Sequence, residues 1–219
     1  MKKQVYLFAA LLLLTTAGYS QLIRKDGMIV ERPKFGIQGG LVVSSQTIGN
    51  GIGGAYEASS KANFTAGVNL ELPLRYGWYL QPEVNYSVMG SKEATGNGTT
   101  GISSFNFNYL QVPVLIKYKP LFSGFGVFLG PQYGYLLSAN QHDRGLPNVD
   151  IKAGNYISEL SALFGMEYYF PSAHDGPQFG LSARYQVGIT NTNNTNTLAD
   201  GTYYTQRNNG FFLTAGIRF

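Results

Sequence analysis

Apolar and polar residues alternate one by one along much of this chain, most clearly at its end. In Gly210-Phe211-Phe212-Leu213-Thr214-Ala215-Gly216-Ile217-Arg218-Phe219, the side chains of Phe211, Leu213, Ala215, Ile217 and Phe219 share one face of an extended strand. Thr214, Gly216 and Arg218 share the other. A soluble barrel would turn its apolar face inward. An arginine in mid-pattern among small and polar residues suits a polar lumen and a lipid-facing exterior.

The same period of two predicts seven more strands, at about 34–44, 62–72, 78–88, 106–119, 124–138, 157–170 and 178–190. In the second, Phe64, Ala66, Val68, Leu70 and Leu72 oppose Thr65, Gly67, Asn69 and Glu71; in the third, Trp78, Leu80, Val84, Tyr86 and Val88 oppose Gln81, Glu83, Asn85 and Ser87. The fourth sets Leu110, Val112, Val114, Ile116 and Tyr118 against Tyr109, Gln111 and Lys117. The sixth places Ser161, Gly165 and Glu167 inward, and the seventh Ser182, Arg184 and Gln186.

Connection lengths alternate as well. Pro73 to Gly77, Pro120 to Ser123 and Pro171 to Pro177 are short. Ser45 to Lys61, Gly90 to Phe105, Ala139 to Tyr156 and Asn191 to Asn209 are long and rich in Gly, Ser, Thr and Asn. Outer-membrane barrels put short turns in the periplasm and long loops outside. The expected fold is therefore all-β: an eight-stranded antiparallel transmembrane barrel with both termini in the periplasm. Its lumen would be filled by side chains, because eight strands leave little more room than that.

A secreted ligand-holding barrel also alternates, but it needs apolar residues inside. The inward set here includes Glu71, Glu83, Lys117, Glu167, Arg184 and Arg218, three acids against three bases. Such charges leave water only if paired, so a compensated network is expected in place of a greasy pocket. A two-sheet sandwich would not explain the long-short rhythm. Trp78, Tyr79, Tyr118, Tyr168, Tyr169, Phe170 and Phe219 cluster beside the short turns or the terminus, where an interfacial aromatic girdle is expected.

The N-terminus reads as a secretory signal peptide over 1–20: Lys2 and Lys3, an apolar run from Val5 to Leu14, then small residues before Gln21. That run is too short for a membrane anchor. Gln21 to Pro33 would form a periplasmic tail and 34–219 the barrel. The absence of cysteine excludes a lipoprotein anchor, disulfides and thiolate metal sites. Removing Lys2 and Lys3 lowers the net charge from +4 to about +2, which gives no reason to expect nucleic acid as a partner. Only 13% of residues are charged, and Gly, Tyr and Phe are abundant, as suits many short strands.

Three segments resemble the small outer-membrane β-barrel proteins of Bacteroidetes, often called PorT-like. They are Tyr79-Leu80-Gln81-Pro82-Glu83-Val84, Tyr109-Leu110-Gln111-Val112-Pro113-Val114-Leu115-Ile116-Lys117-Tyr118 and the terminal Gly216-Ile217-Arg218-Phe219, together with a signal ending in Ser20-Gln21. The resemblance spans about residues 34 to 219 and implies fold and location. It implies little about activity, since one fold hosts many functions. The named member is associated with protein secretion and surface display. Phe219 fits the terminal residue through which barrel-assembly machinery recognises such strands.

Candidate chemistry is sparse. His142-Asp143 falls in the third long loop and His174-Asp175 in a short turn, so the two histidines would face opposite sides of the membrane. His142 and Asp143 with Ser138 are the residues a lipid-modifying enzyme of the outer leaflet could use. A solvated loop pair is the simpler reading, and no catalytic, cofactor-binding or metal-binding residues are assigned. Gly49 to Gly54 lacks the βαβ unit a phosphate-binding loop needs, and the Asn63, Asn85 and Asn97 sequons fit chance matches. Thr190 to Thr197 reads as a mobile surface loop with hydrogen-bonding capacity for a glycan or protein partner. The expected role is non-catalytic: surface interaction, adhesion or membrane support, in contact with outer-membrane lipid. A secretion accessory and a narrow channel are the other roles considered.

Overall fold

A computed structural model describes residues 32–50, 54–94, 102–120, 124–142, 147–172, 176–193 and 204–219. The expected signal peptide and nearly all of the tail before Pro33 lie outside the described residues. The barrel is the unit Pro33–Phe219. Its strands are β1 (Lys34–Asn50), β2 (Gly54–Glu57), β3 (Ser59–Pro73), β4 (Trp78–Ala94), β5 (Ile102–Tyr118), β6 (Phe125–His142), β7 (Val149–Asp150), β8 (Ser158–Tyr169), β9 (Gln178–Gly188) and β10 (Tyr204–Arg218).

Eight of these form the wall, in the order β1-β3-β4-β5-β6-β8-β9-β10, with every neighbour antiparallel. β10 pairs back onto β1 from Gly36↔Arg218 to Asn50↔Tyr204, so the sheet closes. Closure removes every free edge, the only way a sheet satisfies its backbone groups in lipid. The short β2 and β7 append to β1 and β6.

Alternation decides which way each side chain points. Leu41, Phe64, Leu129, Phe164, Phe179, Leu181 and Leu213 face out and remain exposed, Leu129 at 65%. An apolar surface this continuous belongs against lipid, not water. The residues between them are buried inside and are mostly polar.

The strands outlast the apolar alternation at the long-connection end. β1 continues from Ser44 to Asn50, β6 reaches His142, and β10 begins at Tyr204. The predicted ends stopped short because an apolar-polar rhythm exists only where one face meets lipid. Beyond that band the outward face turns polar while the backbone ladder carries on: Ser45, Thr47 and Gly49 still pair with Asn209, Arg207 and Thr205. β8 and β9 do stop near the predicted limits, where the amides of Ile189 and Thr190 both converge on the Leu160 carbonyl.

Two local devices shape the wall. Between β3 and β4, Arg75 to Trp78 form a tight turn with the Trp78 amide on the Arg75 carbonyl at 3.0 Å. Tyr76 (φ 53°) and Gly77 (φ 81°) both take left-handed conformations, the combination that matches strand twist in a two-residue hairpin. Higher up, the β3–β4 register shifts between Ser60 and Thr65. Ser44 on β1 bonds the backbone of Gly90 there, accepting its N–H at 2.7 Å and donating to its carbonyl at 2.9 Å.

Gly40 lies at the β1–β10 seam, where a Cβ would fall 2.0 Å from the Leu213 carbonyl oxygen. That atom is backbone and cannot move aside. Gly40→Val is therefore expected to cost about 1–3 kcal/mol and to lower the temperature at which the compact band on SDS gels is lost.

Candidate functional site

The lumen is built in layers. Lowest, toward the short turns, a ring of alternating charge joins Glu71, Lys117, Glu167 and Arg218. Lys117 Nζ lies 3.1 Å from Glu71 and 2.7 Å from Glu167, while Arg218 lies 2.8 Å from Glu71 and 3.0 Å from Glu167. The four come from β3, β5, β8 and β10, every second strand around the barrel. Lys119 adds a further cation, 2.6 Å from Glu71, and Gln81 accepts a hydrogen bond from Lys117.

The next layer comes from the other strands. Arg184 on β9 meets Glu83 on β4 at 2.8 Å, and Gln38, Asn85 and Gln81 also donate to that carboxylate at 2.6–2.9 Å. Phe128 stands between the layers, 5.2 Å from the Arg184 guanidinium and 6.0 Å from Lys117 Nζ. Charged groups over a ring face are attracted by its quadrupole.

Above this, Gln111 and Gln132 donate to Gln186, whose own amide donates to Glu159 at 3.0 Å. Asn208 donates to Glu159 at 2.7 Å and to the Tyr109 hydroxyl at 3.1 Å, and Gln46 donates to Asn208 at 2.9 Å. Val42, Met89, Phe107, Leu136 and Phe212 fill the rest of that level. The space among Gln38, Asn85, Gln111, Gln132, Arg184 and Thr214 amounts to about 10 Å³, room for roughly one water.

Thus Glu71, Glu83, Lys117, Glu167, Arg184 and Arg218 all lie inside, and the ion pairs assemble them into two groups, not one. Counting three acids and three bases missed Glu159 and Lys119. Both were signalled by parity, since Glu159 is two positions before Ser161 and Lys119 two after Lys117. Glu159 is satisfied by neutral donors and pairs with no cation among the described residues.

Two of the seven aromatics expected in the interfacial girdle lie in the lumen instead. Tyr79 and Tyr169 point inward and are buried, because each carries a cation on its ring: Lys119 at 4.6 Å and Arg218 at 3.6 Å. Gly180 makes space for Tyr169, whose ring would lie 2.5 Å from a Cβ there. Trp78, Tyr118, Tyr168, Phe170 and Phe219 do face out, with Trp78 against Tyr118 and Tyr168 against Phe170. The Phe219 amide donates to the Phe35 carbonyl at 2.8 Å, holding the last residue to the first barrel strand.

His142 is the last residue of β6, exposed, with Nδ1 2.6 Å from Asn148 Oδ1. Ser138 accepts from Asn108 instead. Among the described residues neither bonds the other, while Asp143, His174 and Asp175 lie outside them. No cluster of three or more metal-ligating side chains stands among the described residues. The polar run at Thr190 is not loose from its start: Thr192 is buried, its amide bonds the Gln206 carbonyl, and Asn193 bridges Asn155.

Residues 20–194 match the family described as outer membrane protein beta-barrel domain. The chain belongs to that family. It is accordingly an outer-membrane β-barrel protein, and its charged lumen and lipid-facing wall are the family barrel as this sequence builds it. No curated protein matches the chain in sequence. Among solved structures, Neisserial surface protein A is 15% identical over 86% of this chain and 98% of its own, with a TM-score of 0.47. Ail, the attachment invasion locus protein of Yersinia pestis, is 14% identical over 86% and 100%, at 0.44. OprG from Pseudomonas aeruginosa is 12% identical over 85% and 95%, at 0.43.

Arg184→Met leaves Glu83 buried without its cation, so about 3–5 kcal/mol of stability should be lost. Replacing both partners, as Glu83→Gln with Arg184→Met, should recover much of that loss. Urea unfolding of the detergent-refolded barrel, followed by tryptophan fluorescence, measures both.

Proposed function

We propose that this protein is a non-catalytic, non-conducting barrel that holds its long connections outside the cell for surface interaction, adhesion or membrane support. The observation that carries this reading is the filled lumen beneath strands that project past the apolar band. Stacked ion pairs and amides leave no continuous passage among the described residues, and β1, β5, β6 and β10 continue toward the long connections as a hydrogen-bonded rim. Such a rim positions binding loops on a rigid scaffold.

In this reading both termini face the periplasm, and the short turns lie there with the aromatic side chains of Trp78, Tyr118 and Tyr168. The motif segments at Tyr79 and Tyr109 support a place among PorT-like barrels of Bacteroidetes, and the strand ending in Phe219 is the part the barrel-assembly machinery would engage. Partners at the surface would be a protein or a glycan. The exposed setting of His142, held by Asn148 and apart from Ser138, favours a structural role over catalysis.

The chain has no cysteine, so single-cysteine variants report orientation cleanly. Pro147→Cys, beyond β6, should react with a membrane-impermeant maleimide on intact cells. Arg75→Cys, in the first short turn, should react only after the outer membrane is permeabilised. The reverse pattern overturns the orientation, and steady single-channel conductance in a planar bilayer overturns the closed lumen.

A further inference from the structure

The outer wall of β3–β6 carries a polar, cationic patch at its long-connection end. Ser59, Lys92, Ser104 and His142 are successive partners across these four strands, so their side chains share a face. That face is the outer one, because Ser104, Asn106 and Asn108 alternate with the buried Phe107 and Tyr109. One row lower, Lys61 reaches past Gly90, where a Cβ would come 3.4 Å from its Cδ, and its Nζ sits 2.6 Å from both Ser104 Oγ and Asn106 Oδ1. Beside β6, Lys152 Nζ lies 2.7 Å from the Leu137 carbonyl.

These three lysines differ from the cations in the lumen. Lys117, Lys119, Arg184 and Arg218 each face a carboxylate, whereas Lys61, Lys92 and Lys152 form no ion pair among the described residues. Lys61 and Lys152 are held by neutral oxygens instead. An ammonium has three donors, so bonds to Ser104 and Asn106 orient Lys61 without neutralising it. Three acids lie toward this end of the strands: Glu57 on β2, Glu93 beside Lys92 on β4, and Asp150, whose Oδ1 accepts the backbone N–H of Lys152. The patch lies further along the same strands than outward Tyr86, Leu110 and Tyr135, toward the long connections.

We infer that this patch binds the phosphate-bearing headgroup of an outer-leaflet lipid, with Lys61 and Lys92 contacting the phosphate and Ser59, Ser104 and Asn106 the neighbouring hydroxyls. An anionic group there would give Lys61 and Lys92 the counter-charge that Glu71, Glu83 and Glu167 give the cations of the lumen. The inference rests on the orientation proposed above, which would bring the patch to the outer leaflet.

The test uses the full chain refolded into phosphatidylcholine nanodiscs doped with lipid A carrying both phosphates, or with the dephosphorylated lipid. Wild type should bind the phosphorylated form about tenfold or more tightly, since a lysine near an anionic surface contributes about a fivefold effect. Lys61→Gln with Lys92→Gln and Lys152→Gln should abolish that preference; Lys92→Gln alone, at an exposed position, should reduce it several-fold. Lys34→Gln, at the opposite end, should leave it unchanged. Equal binding of the two lipids by wild type, or an undiminished preference in the triple variant, overturns the inference. Because this assay reads the isolated barrel, reversed cysteine labelling on cells would overturn the orientation independently.

Discussion

Carboxylates taken out of water must meet cations, and the ring of Glu71, Lys117, Glu167 and Arg218 is where this barrel meets that demand most completely. Four charges of alternating sign come from four alternate strands, so the ring ties together strands that share no backbone ladder. It also includes the residue next to the chain's end. Arg218 can reach Glu71 and Glu167 only when β10 is paired on both sides, so the electrostatic ring and the closure of the sheet require each other. Buried pairs seldom add much net stability over an apolar core, but breaking one is costly. Their effect here is on register: a one-residue slip of β5 or β8 would turn Lys117 or Glu167 toward lipid.

With the interior committed to polar contacts, the apolar residues have only the outside to occupy. The usual arrangement of a soluble protein is thereby inverted, and Leu41, Leu129 and Phe179 are exposed because lipid is their solvent. The upper lumen departs from this rule. Met89, Phe107, Leu136 and Phe212 close it with a small apolar plug beside the Glu159 amide cluster. A lumen filled in this way leaves the rim and the outer wall as the surfaces on which other molecules can act.

Parity was legible residue by residue, and it carried the strands, their faces and the inward direction of residues such as Glu83 and Arg184. It was less informative where two inward signals compete. Tyr79 and Tyr169 alternate with lumen residues, yet their position beside short turns suggested a girdle; cation contacts from Lys119 and Arg218 resolve the matter. The strand ends past Ser44 and before Gly210 were hidden because a ladder of backbone hydrogen bonds leaves no mark in side-chain polarity. The fixed start of the Asn191 segment depends on Gln206 and Asn155, which lie far from it in sequence or across a connection.

The sequence by itself determined the alternation, the rhythm of short and long connections, and thus a closed antiparallel barrel, because a strand's faces follow directly from residue order. Only the tertiary structure decided which acid meets which base, that Glu159 is satisfied by amides, and that Lys61 crosses Gly90 to reach β5. Those choices depend on strand stagger around the closed sheet, which brings together residues a hundred or more positions apart, such as Glu83 and Arg184. Residue order along one strand contains no record of that stagger.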